Sequence, residues 1–172
     1  MITIAWPDSK QQGKLGYQSK QMNTITFLSL LLLVLLPIMT TGRYTLGVRD
    51  SLMIAHSFHN NPNFGPAGGM HGATYTCDVN FMCNELNPET NWVINIGDAT
   101  QILSEVLSKY NLKNLDEVFP NGELTTTEFM ARQIHNDLCG RLIELGFEGD
   151  MCVKLWESHA AWASYENAVK SE

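Results

Sequence analysis

Two histidines are the residues most able to do chemistry in this chain. His56 ends the run "SLMIAH" and His71 opens "HGATYTCDVNF". Two neutral imidazoles begin a zinc site, which as a catalytic centre takes three protein ligands and keeps one position open. Strand alternation puts residue 73 on the same side as His71, where a third ligand would belong, and it is Ala73. His59 reaches the same point only if the strand ends just after His56; an exposed loop histidine is the plainer reading. In "TTTE", Thr125 and Glu128 have the spacing of a helix capping box. His135 falls on the helix that follows and is expected to be solvated.

For His56 and His71 to meet, their segments must be strands that pair as a hairpin. "RYTLGVRD" and "SLMIAHSF" read as one long strand or a bent pair, with Leu52, Ile54, His56 and Phe58 on one face. "NNPNFGPAGG" is a loop by its Asn, Pro and Gly content. "ATYTCDVNF" alternates cleanly, Tyr75, Cys77, Val79 and Phe81 against Thr74, Thr76, Asp78 and Asn80. A short strand, "WVINI", is expected after the turn "NELNPETN". Asp98 then caps a helix whose stripe is Ile102, Leu103, Val106, Leu107 and Tyr110. The second helix carries Met130, Ile134, Leu138, Leu142 and Leu145, and Gly146 stops it. "MCVKLWES" supplies a last strand. Strands, helices, then a strand predict an α+β fold, an antiparallel sheet with both helices on one face. The open edges of such a sheet favour pairing between copies.

The chain has 172 residues, enough for one ordinary domain with its own core. Residues 1–42 carry Lys10, Lys14 and Lys20 against Asp8, so a net charge of −7 leaves −9 on residues 43–172. An acidic body without a basic stripe argues against nucleic acid as a partner. Cys77, Cys83, Cys139 and Cys152 show no paired spacing and are expected as packed, reduced thiols. "FLSLLLLVLLPIM", Phe27 to Met39, is short of the roughly 20 apolar residues that span a bilayer, so no membrane partner is expected. Residues 1–42 are set apart from the fold, as an upstream extension or, on the alternative reading, a secretory signal. The domain from residue 43 has a cytoplasmic character, with export as the alternative.

"MIAHSF", "MHGATYTCDV", "INIGDATQIL", "NLKNLDEV", "TTTEFMARQI" and "LWESHAAWASYE" resemble, in order and spacing, motifs of the 6-pyruvoyltetrahydropterin and 6-carboxytetrahydropterin synthases. The resemblance covers residues 43–166. It implies the tunnelling fold, a four-stranded antiparallel sheet with two helices on one face. It also implies edge-to-edge homo-oligomers, trimers or hexamers of two stacked trimers. It implies a lyase-type enzyme of a biopterin or queuosine pathway, acting with metal assistance on dihydroneopterin triphosphate or a related small-molecule pterin. By matching, His56 and His71 are two of three zinc ligands and Ala73 replaces the third, which implies a weak or incomplete zinc site. Glu157 matches the carboxylate that anchors the pterin ring, and Thr126, Thr127 and Glu128 match a segment lining the same pocket. The family's catalytic cysteine has no counterpart in "FGPAGGM", and Asn111 and Leu112 occupy the positions of its aspartate–histidine relay. His159, two residues beyond Glu157, shares its face if the strand persists and is then the best-placed acid or base. A pterin-binding homologue that has lost turnover is the alternative.

Overall fold

The computed structural model describes residues 42–170; residues 1–41, with the apolar run, lie outside the described residues. The first strand, β1, is Tyr44–His56, a single unbroken element of 13 residues. A short 3-10 segment, Pro62–Gly68, leads into β2, His71–Cys83. The two strands pair antiparallel over their whole length, with His56 directly opposite His71. Helix α1 (Ile96–Ser108), a two-residue β3 (Lys113–Asn114), the single turn α2 (Leu115–Val118) and helix α3 (Thr127–Glu144) follow. β4 (Asp150–Trp156) and β5 (Trp162–Ala168) close the chain as a hairpin.

The sheet runs β3-β1-β2-β4-β5. Its four long strands are antiparallel, and only β3 joins in parallel, at Ile54 and Ala55 of β1. Strand alternation sends Leu52, Ile54, Tyr75, Cys77, Val79, Phe81, Met151, Val153 and Leu155 to one buried face. The stripes of α1 and α3 cover that face, and all of Met130, Ile134, Leu138 and Leu142 are fully buried. Each such side chain contributes about 1.5–3 kcal/mol by leaving water. Among the described residues no helix is long and apolar enough to cross a membrane.

Several local expectations are corrected. "WVINI" forms no strand, because Asn95 within it accepts from the backbone N–H groups of Gly97 and Asp98 and starts α1. Asparagine is a strong helix cap and a poor strand residue, so the cap wins over a five-residue apolar run. Asp98, expected as that cap, sits in the first turn, where its charge suits the helix N-terminus. The cap of α3 is Thr126, whose hydroxyl accepts from Phe129 N–H at 3.3 Å, so Thr125 and Glu128 form no capping box. Leu145 leaves the helix stripe and is exposed, since the chain turns at Gly146 with φ +72°. β5 is an element that the reading of helices and strands did not separate. Its signal was the alternation of Ala163 and Tyr165 with Trp162 and Ser164, diluted by small residues.

Candidate functional site

The chemistry-bearing residues gather where the His56 end of β1, the start of β2, the N-terminus of α3 and the β4–β5 turn come together. His56 is 1% exposed, and its ring centroid lies 4.5 Å from that of His71. Its Nδ1 faces the Thr125 carbonyl at 3.0 Å and the Thr125 hydroxyl at 3.1 Å. A carbonyl only accepts, so Nδ1 carries the proton and Nε2 is left with its lone pair. His71 repeats the pattern, donating from Nδ1 to the Gly69 carbonyl at 2.9 Å. Imidazoles that bind metals are usually oriented in this way by a carbonyl or carboxylate on the other nitrogen. Burial, with the neighbouring His71, holds His56 below the usual histidine range, so it stays in the neutral, ligating form.

Phe58 packs against the pair, 4.9 Å from His56 and 5.8 Å from His71, and stacks on Phe64 of the connecting loop at 4.1 Å. The same loop is tied down at Ser57, whose N–H and hydroxyl both donate to Asp116, at 3.0 and 2.6 Å. Burial pushes the Asp116 carboxyl up, but the two bonds from Ser57 outweigh it and hold the group below the usual carboxylate range. His59 is exposed in this loop, with φ +52° and its N–H on Ser57 Oγ. Asn111 accepts from the Met53 N–H at 2.9 Å, and Leu112 is 73% exposed with φ +60°.

Glu157 follows the end of β4 and is exposed. Its carboxylate accepts from the Thr127 hydroxyl at 2.7 Å, which brings together two of the residues matched to the pocket. Thr126 serves the helix as its cap, and Glu128 is exposed in the first turn. His159 is placed differently. β4 ends at Trp156, so the alternation that would seat His159 beside Glu157 does not reach it. His159 instead lines a cavity of about 450 Å³ with Arg49, Thr74, Thr76, Trp156 and Ser158, along the polar face of the sheet. His135 is buried at 2% exposure rather than solvated, because the edge strand β5 packs over its helix.

Two residues escaped the sequence reading. Thr125 looked like a cap, yet it is fully buried and orients His56. Tyr75 looked like core, yet its hydroxyl is buried without a hydrogen-bond partner. It is flanked by Thr127, with which it makes no bond of acceptable geometry. Burial first, and then the nearby Glu157 and Glu128, push its hydroxyl up to about 12.

The donor set fits a metal in part. His56 Nε2 is buried and unpartnered, with its lone pair free. Among the described residues, however, no group of three or more His, Cys, Asp or Glu side chains converges to hold an ion.

The result is an antiparallel sheet covered by two helices on one face, with a histidine pair and a carboxylate at one end. A sequence model of the 6-pyruvoyl tetrahydropterin synthase family matches residues 45–168, and the chain belongs to that family. Its structure is similar to 6-pyruvoyl tetrahydropterin synthase from Caenorhabditis elegans, at 22% identity and TM-score 0.64, over 74% of this chain and 97% of that one. It is also similar to the Plasmodium falciparum enzyme, at 13% identity and TM-score 0.56, over 73% and 98%. An uncharacterized protein from Wolinella succinogenes shares the fold at 15% identity and TM-score 0.53, over 73% and 99%. No curated protein matches the chain significantly.

Proposed function

We propose that the chain is a pterin-pathway enzyme that seats dihydroneopterin triphosphate, or a related pterin, between Glu157 and the histidine pair. The carboxylate–hydroxyl bond from Thr127 to Glu157 carries this reading. It fixes a carboxylate at the α3 N-terminus, where it accepts parallel N–H bonds from the amino-pyrimidinone edge of the ring. Charge-assisted bonds of that kind are the stronger sort. Thr126 shapes the same corner as the helix cap, and Glu128 adds a negative charge in the first turn of that helix.

His56 and His71 would hold a divalent metal, zinc by their chemistry, through their two Nε2 atoms. When bound, such an ion polarises an oxygen of the substrate side chain. With Ala73 in place of a third donor, the affinity is weaker than that of a three-histidine site. Thr125 and Gly69 orient the two rings, Phe58 packs against both, and burial keeps His56 neutral.

The exposure of Glu157 and the sheet edges support a homo-oligomer, a trimer or hexamer. The outer edge of β5, and the outer edge of β1 from Tyr44 to Leu52, have no neighbouring strand among the described residues. Pairing them between copies covers both edges and brings a neighbour to the site. The four cysteines, all free thiols, support a cytoplasmic setting, with export as the alternative.

A second reading, binding without turnover, is favoured by Ala73 and by Asn111 and Leu112, neither of which exchanges protons near neutral pH. Fluorescence titration of the purified chain with a pterin tests the shared part. Saturable binding that Glu157→Ala weakens by about 100-fold is expected, and no binding, or binding indifferent to that change, contradicts it. Turnover of dihydroneopterin triphosphate then separates enzyme from binder.

A further inference from the structure

Among the described residues, two buried side-chain polar atoms have no hydrogen-bond partner: His56 Nε2 and the Tyr75 hydroxyl. Buried polar groups are almost always paired, so an exception in a well-packed region asks for an explanation. Both exceptions fall in one place. The two rings stand perpendicular with centroids 6.5 Å apart, and the charge of Glu157 acts on both. Ala73 lies between His71 and Tyr75 on the same side of β2, so a methyl group stands where a larger side chain would separate the tyrosine from the histidine pair.

The chemistry of the two atoms is complementary. His56 Nε2 offers only a lone pair, since its Nδ1 proton is committed to Thr125. The phenol carries a proton that no acceptor among the described residues takes up, and the adjacent Thr127 hydroxyl has its own proton on Glu157. We infer that Tyr75 is a substrate-binding residue, whose hydroxyl donates to a side-chain oxygen of a ligand lodged beside the histidine pair. This rests on the pterin reading above and deepens it. Glu157 grips the flat ring, and Tyr75 selects ligands that carry a hydroxylated side chain over those that carry none.

The test uses the full chain and two probes, pterin without a side chain and neopterin, whose side chain bears hydroxyls. Tyr75→Phe keeps the ring packing and removes only the donor. Neopterin is expected to bind this variant about tenfold more weakly, as befits one lost hydrogen bond, while unsubstituted pterin binds it unchanged. The ligand-free variant is expected to melt at or above the wild-type temperature, because an unpaired buried hydroxyl has gone. Equal losses for both probes, or no loss for either, overturn the inference while leaving the pterin reading intact. If neither probe binds the wild-type chain, both fall.

Discussion

Two buried histidines, His56 and His135, are equally hidden and differently partnered. His135 is 2% exposed on α3, and both of its ring nitrogens are engaged. Nε2 meets the Asn167 carbonyl at 3.3 Å, and Nδ1 meets the Cys139 thiol at 3.6 Å. Tyr165 packs edge-on against the ring at 5.0 Å. His56 is 1% exposed on β1, and one nitrogen is held while the other is bare. Burial alone therefore does not distinguish a packing histidine from a working one. The two do differ in unmet hydrogen bonds, and an unpaired buried polar atom costs about 1–3 kcal/mol that a bound group would recover.

The largest expected effect falls on the satisfied side of this contrast. His135→Ala removes a packed ring and two partners, and it is expected to cost about 3 kcal/mol of stability without altering pterin or zinc affinity. Chemical denaturation beside ligand titration checks both halves. Glu157→Ala is expected to do the reverse, weakening pterin by about 100-fold, or 2–3 kcal/mol, while leaving the melting curve in place. His56→Ala should lie between them. Zinc, followed by competition with a chromophoric chelator, is expected to weaken at least about tenfold, with a stability loss of only about 1–2 kcal/mol. A larger stability cost at His56 than at His135 would erase the distinction.

A pH titration sharpens the comparison with the smallest effect. Asp116 anchors Ser57, the residue after His56, and its folded-state carboxyl lies below the unfolded value of about 3.9. The native state therefore favours the ionised form. That contribution is present above the unfolded value and is lost as the pH falls through the folded one. Thermal melts below about pH 4 are expected to fall less steeply in Asp116→Asn than in the wild type.

Much of the fold was legible because its signals are periodic. The alternation from Thr74 to Phe81 and the stripe from Met130 to Leu142 each describe one buried face, and the structure buries both. Helix starts were off by a few residues. "WVINI" and "TTTE" each contain more than one residue able to cap, and only packing decides between Asn95 and Asp98, or between Thr125 and Thr126. The His56–His71 meeting was visible in the strand pattern, since hairpin pairing sets them opposite. Thr125 and Tyr75 were not visible. Their importance lies in what their polar atoms touch or fail to touch across distant segments, and neither periodicity nor spacing carries that. The position of His159 depended on whether β4 ran two residues further, a boundary that the turn after Trp156 decides.

A crystal structure of the full chain grown with neopterin tests the central claim most directly. The account predicts the amino-pyrimidinone edge about 3 Å from the Glu157 carboxylate, with the side chain running toward His56, His71 and Tyr75. A pterin seated elsewhere on the molecule, with Glu157 bonded only to Thr127, would contradict it.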